Sequence, residues 1–205
     1  MRRLALLVLA MLVPACHSTS QLVVGILTNL PVPSKLTSAR LEASRNGVLV
    51  DQQFWMLSGI QSVDYTLPGT FGYYSTRGGM PELELELAGF LGDTQVLTRR
   101  SQVQLVLDEQ LFQRMALVGS CESVSCPAGQ GCVEGACRSD AIDSRTLPRY
   151  DESLARVVRC DSGSDFIDTA TCSTGTCARL PISGPACATS EECREGTCYR
   201  KAAAP

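Results

Sequence analysis

The sequence predicts a mainly β protein: a β-sandwich followed by a small disulfide-rich tail. Two observations predict it. From Gln21 to Val118, short apolar or alternating runs are separated by turn residues at intervals of about 8–12 positions. The eleven cysteines are also unevenly placed, with none between Cys16 and Cys121 and ten in the last 85 residues. The first region must therefore rest on a buried core and the second on covalent staples. A chain of 205 residues has room for one ordinary domain and a small appendage. Charged residues are 19% and hydrophobic ones 44%, which is not the composition of a disordered or acidic-tail chain. With Arg2 and Arg3 removed in a cleaved leader, 16 basic side chains stand against 21 acidic ones, a net −5. That balance argues against a nucleic-acid partner. His17 is the only imidazole, so His-based triads and multi-His metal sites are excluded.

The strands follow in order. Gln21–Thr28 is a first apolar run, closed by Pro31 and Pro33, which a central strand does not tolerate. Thr37–Ser44 alternates, with Ala39, Leu41 and Ala43 on one face. Arg45-Asn46-Gly47 is a hairpin turn leading to Val48–Leu57, which carries Phe54 and the single tryptophan, Trp55. Ser62–Leu67 is a further strand ended by Pro68-Gly69, and Phe71–Ser75 continues after a bend. Glu82–Leu87 alternates perfectly and must bury Leu83, Leu85 and Leu87. Thr94–Arg99 and Gln102–Leu107 are expected as two separate strands. The last segment, Gln110–Val118, is expected as a strand because everything before it is β. Its Leu107, Leu111 and Met115 also fit one face of a helix, which is the alternative. About seven strands in about 100 residues fit a sandwich of immunoglobulin or transthyretin type. Inward side chains worth roughly 1.5–3 kcal/mol each could support this domain without bridges.

The first fifteen residues read as an export signal. Arg2-Arg3 is a positive start, and Leu4 to Val13 is a ten-residue apolar run, too short to span a bilayer. Val13-Pro14-Ala15-Cys16 follows. It resembles the lipobox of bacterial lipoproteins, in which the cysteine thiol takes a diacylglycerol. The alternative is an ordinary secretory signal cleaved after Ala15. The resemblance implies lipidation at Cys16 and a membrane partner held through that lipid. His17 and Ser18 follow, with no aspartate at the second position, which by the same resemblance implies transport to the outer membrane, facing the periplasm or the cell surface.

Once Cys16 is lipidated, ten cysteines remain: Cys121, Cys126, Cys132, Cys137, Cys160, Cys172, Cys177, Cys187, Cys193 and Cys198. Export makes disulfides the default. Zinc is the alternative, but C-x4-C and C-x5-C spacings without histidine fit it poorly. Cys126–Cys137 aligns without gaps on Cys187–Cys198, both reading C-x5-C-x-x-G-x-C, and Cys172–Cys177 is a partial third copy. Gly135, Gly175 and Gly196 fill one slot, where a tight turn calls for a residue that tolerates positive φ. Five bridges in clusters of four and six are expected. If the first cluster crosses, it joins Cys121 to Cys132 and Cys126 to Cys137. The repeat then makes Cys187–Cys198 the counterpart of the latter, leaving Cys193 for Cys177 and Cys160 for Cys172.

The domain plan is a signal peptide (1–15), a tether (16–20), the sandwich (21–120), a first cysteine module (121–140), a linker (141–159), a second module (160–200) and a disordered tail (201–205). With the lipobox, the stretch Leu67-Pro68-Gly69-Thr70-Phe71-Gly72 and the cysteine pattern, the chain resembles cysteine-rich outer-membrane lipoproteins of myxobacterial type. The resemblance implies architecture and no assigned activity. Glu82, Glu84 and Glu86 line one strand face as candidate acid/base or calcium carboxylates, but are expected to be a solvated face. Asp161, Asp165 and Asp168 lack the order of a calcium loop. Phe71, Tyr73 and Tyr74 are a candidate glycan or protein patch, with one or two of the rings expected in the core. No nucleophile elbow, phosphate loop or dinucleotide fingerprint is present. The expectation is a lipid-anchored envelope protein with a binding or structural role, its partner an envelope protein or a glycan, with no catalytic residues, cofactor or metal. The alternative is a secreted disulfide-rich inhibitor or ligand domain.

Overall fold

Alternating side chains give each strand one apolar face, and two such faces closed on each other make the core. The structure is a computed structural model, and it describes residues 20–57, 69–75, 81–156 and 186–202. One sheet has three strands in the order β4 (Gly69–Ser75), β1 (Ser20–Thr28), β7 (Gln110–Leu117), with β1 antiparallel to β4 and parallel to β7. The other has five, in the order β10 (Ala141–Ile142), β6 (Thr94–Gln104), β5 (Glu82–Leu91), β2 (Ser38–Arg45), β3 (Val48–Met56). Leu22, Val24 and Ile26 of β1 and Leu111, Met115 and Leu117 of β7 meet Leu41, Leu83, Leu85, Leu87 and Val103 in one buried cluster. Labelled A to G in chain order, the seven long strands form sheets DAG and CBEF. That order is not the ABED and CFG of an immunoglobulin constant-type sandwich.

Most strands fall where the pattern placed them. Asn46 and Gly47 both take positive φ in the β2–β3 turn, and Trp55 is buried while Phe54, on the opposite face, is 45% exposed. The expected strand Ser62–Leu67 lies outside the described residues. Thr94–Arg99 and Gln102–Leu107 are corrected: they form one strand, β6, running to Gln104. Arg99 and Ser101 point inward and are buried, so the alternation continues through residues that look like a break. Gln110–Leu117 is a strand, not a helix, and is buried on both faces after its first residue.

The reason lies in the C-terminal third. Residues 141–159 were expected as a linker, but their first ten residues are built into the sandwich. Ala141–Ile142 add to β6, Leu147 joins the main core, and Phe112 N donates to Pro148 O at 2.9 Å. The short helix α1 (Glu152–Arg156) brings Leu154 against Val23 and Phe112 on the outer face of the three-stranded sheet. Cys121 and Cys132 cover Leu27 and Ala116 on the same face. Two hairpins complete the fold, β8–β9 (Gln130–Val133, Ala136–Ser139) and β11–β12 (Glu191–Arg194, Thr197–Arg200). Lys201, expected in a disordered tail, donates from its backbone N to Ser190 O.

Candidate functional site

The two hairpins are the two full copies of the cysteine repeat. Each closes on a two-residue turn in which both residues have positive φ: Glu134 and Gly135 in the first, Glu195 and Gly196 in the second. A turn of this kind prefers Asn or Asp before the glycine, and a glutamate there is disfavoured locally. Both glutamates are nonetheless used. The Glu195 backbone N donates to Glu134 Oε1 at 3.0 Å, so the first copy's side chain clasps the second copy's turn. The Glu195 carboxylate in turn accepts from Ala116 N at 3.1 Å and from Arg99 Nε at 3.3 Å. Arg99 and Glu195 are both almost fully buried.

The free edge of β7 explains why these groups are there. Among the described residues, its N–H groups at Phe112, Arg114 and Ala116 find no neighbouring strand. Pro148 O takes the first, the Tyr199 hydroxyl the second at 2.8 Å, and Glu195 the third. An unpaired buried N–H would cost about 1–3 kcal/mol, so each acceptor answers a specific need. Tyr199 also joins the main core. Burial pushes its phenol up to about 12, the Glu195 charge adds to this, and the hydrogen bond from Arg114 opposes it. Arg114, buried beside it, stacks its guanidinium over Phe112 at 5.4 Å and donates to Leu154 O. The second hairpin thus plugs the seam between β7 and β6.

An open groove of about 390 Å³ lies on the outer face of the five-stranded sheet. Glu42, Glu84, Glu86, Arg100 and Gln102 line it from the sheet, and Asp140 closes it from the first cysteine module. Cross-strand register sets Glu42 opposite Glu86 and Glu86 opposite Arg100. Arg100 Nε pairs with Glu86 at 2.9 Å, and Arg40 Nε with Glu42 at 3.1 Å. Asp140 is buried, and its Oδ1 has no hydrogen-bond partner among the described residues. Burial pushes its carboxyl above the usual range, against the pull of Arg99 and Arg100.

Of the candidate carboxylates, Glu84 and Glu86 enter this groove, and Glu82 is exposed on the same strand outside its lining. Among the described residues, no three His, Cys, Asp or Glu side chains converge as metal ligands would. Asp161, Asp165 and Asp168 lie outside the described residues. Phe71 is in the core, Tyr73 packs against it and Tyr74 is exposed. Cys121–Cys132, Cys126–Cys137 and Cys187–Cys198 are bridged, with Cα atoms 5.7, 5.5 and 5.6 Å apart; the first two are the crossed pairing of the first cluster, and the third is its counterpart in the repeat. Cys193 is disulfide-bonded. Its expected partner Cys177, with Cys16, Cys160 and Cys172, lies outside the described residues. The sequence reading passed over Glu134, Glu195, Arg99 and Tyr199. The signal for the first two was present: a glutamate repeated before the turn glycine, where asparagine or aspartate is preferred.

No family model matches the chain, and searches of curated proteins and of solved structures find no match either. The disulfides indicate an oxidising, exported location. No helix among the described residues is long and apolar enough to cross a membrane.

Proposed function

We propose that this is a lipid-anchored cell-envelope protein, held at the outer membrane through Cys16, with a binding or structural role and no catalytic activity. The observation that carries the reading is how near the described fold comes to the lipobox-like segment. Strand β1 spans Ser20–Thr28, and its Ser20 is four residues after the cysteine of Val13-Pro14-Ala15-Cys16. The bridges support an oxidising destination. The buried Arg99 and Glu195 are paired, and Glu195 and Tyr199 each accept from a backbone N–H of β7, which supports a structural use for them. The open, charged groove supports a protein or glycan partner of modest affinity better than an enclosed substrate. The alternative, a secreted inhibitor, calls for protruding tail loops; the turn of the second hairpin is buried, and the exposed turn glycine and β9 of the first are the part that fits it.

Labelled palmitate should enter the wild-type protein and be absent from Cys16→Ser. Equal labelling of the two would remove the anchor from the proposal.

A further inference from the structure

The same start of β1 fixes which end of the sandwich faces the anchor. Ser20 is opposite Ser75, and Gln21 is opposite Gln110, so the beginnings of β1 and β7 and the end of β4 share one end. Residues 105–109 carry the chain there from β6 in the other sheet, and Asp108 N donates to Ser20 Oγ at 3.2 Å. In that second sheet Gln104 is opposite Glu82 and Ser44 opposite Glu84, which puts the Asn46–Gly47 turn at this end too.

That end carries exposed apolar side chains. Val48, Leu49 and Val50 are 65%, 52% and 43% exposed, Leu107 is 47% exposed, and Tyr74 is 66% exposed. They are spread out. Strand β3 is three strands from β6, about 14 Å at the usual spacing, and Tyr74 sits on the other sheet about 10 Å away. An extended peptide or a small ligand reaches one of these sites, whereas a flat apolar boundary reaches all of them. Tyrosine, with an apolar ring and a polar tip, suits the rim of such a boundary.

We infer that this end of the sandwich is a membrane-contacting surface, seating Val48, Leu49, Val50, Leu107 and Tyr74 in the headgroup–acyl boundary. The inference rests on the proposed lipid on Cys16. Four residues from Cys16 to Ser20 span at most about 14 Å, so the anchor holds this end against the bilayer. Tethering makes the contact intramolecular, and a surface too weak to bind from solution then stays occupied. Arg45 lies opposite Val48, Glu109 is paired with Arg149, and Glu82 and Asp108 stand on the same end, so the surface carries no positive excess and fits neutral headgroups better than anionic ones.

The chain supplies its own control. Trp55, the only tryptophan, is buried and shielded from a quencher in the lipid. Full-length lipidated Leu49→Trp and Leu91→Trp should be placed on phosphatidylcholine vesicles brominated near the headgroup. Leu91 is also exposed but lies at the opposite end of β5. Position 49 should be blue-shifted and quenched several-fold more than position 91. Equal quenching at both, with the protein still on the vesicles, would overturn the seating and leave the anchor intact. Failure of the wild type to stay on vesicles, with no lipid on Cys16 by mass spectrometry, would overturn the anchor instead. Concentration-dependent shielding of position 49 without vesicles would assign the surface to a second copy of the chain and overturn the inference.

Discussion

The two cysteine hairpins share a sequence frame, a bridge that closes 11 residues and the same kind of turn, yet they meet the sandwich by different faces. In the first, Gly131 to Val133 are buried while the turn glycine and the whole of β9 are exposed. In the second, the buried part is Glu195 to Thr197, with Tyr199 beyond it. Arg138 and Tyr199 are repeat equivalents, one exposed and one in the core. The covalent frame therefore fixes the shape of the hairpin and leaves docking to the few positions between and after the cysteines. A repeat that is specific about its bridges can be indifferent to its neighbours.

Four substitutions sharpen or break this contrast, beginning with the largest effect. Glu195→Ala strands the buried Arg99 guanidinium and the Ala116 N–H, and should lower stability by about 3–5 kcal/mol in urea unfolding. Next is Tyr199→Phe, which leaves Arg114 N–H without its acceptor and should cost about 1–3 kcal/mol near neutral pH. The same variant carries a pH signature. The fold raises this phenol from its ordinary 10 to about 12. Its contribution is therefore complete below pH 10 and is lost as pH rises through 12. Wild-type stability should fall across that interval, and Tyr199→Phe should flatten the fall. The equivalent change in the first hairpin, Arg138→Ala, should move stability by less than about 0.5 kcal/mol. Smaller than the first two is Glu134→Ala, which removes the clasp on the Glu195 N–H and should cost about 0.5–1.5 kcal/mol. Equal losses at Glu134 and Glu195 would show that the two copies are not used differently.

The strand pattern was legible wherever a strand had one wet face. Glu82–Leu87 is the clear case, with Leu83, Leu85 and Leu87 buried as alternation requires. Legibility failed where a partner comes from far along the chain. Arg99 reads as a break in β6 because the carboxylate that makes it an inward residue lies 96 positions away. Strand β7 reads ambiguously because α1 and the cysteine modules cover its outer face, and a strand buried on both sides does not alternate. The sandwich was also expected to stand without the tail. Leu147 and Tyr199 in the main core show that it borrows packing from both later segments. The groove was half legible: its glutamates follow from the strand, whereas Asp140 arrives through β10 docking on β6, which no local pattern announces.

The plugged seam also bears on biogenesis. An exported chain emerges N-terminus first, and β6 and β7 reach the far side of the membrane long before Tyr199 does. Until the final hairpin clears the translocation pore, the edge of β7 is bare at Arg114 and Ala116, a template on which another nascent chain can add a strand. Contacts spanning 85 and 96 positions are the last the polymer can make. The compartment that receives the chain must therefore hold each copy apart from its siblings until the last few residues arrive, and a ribosome that stalls short of them releases an adhesive product.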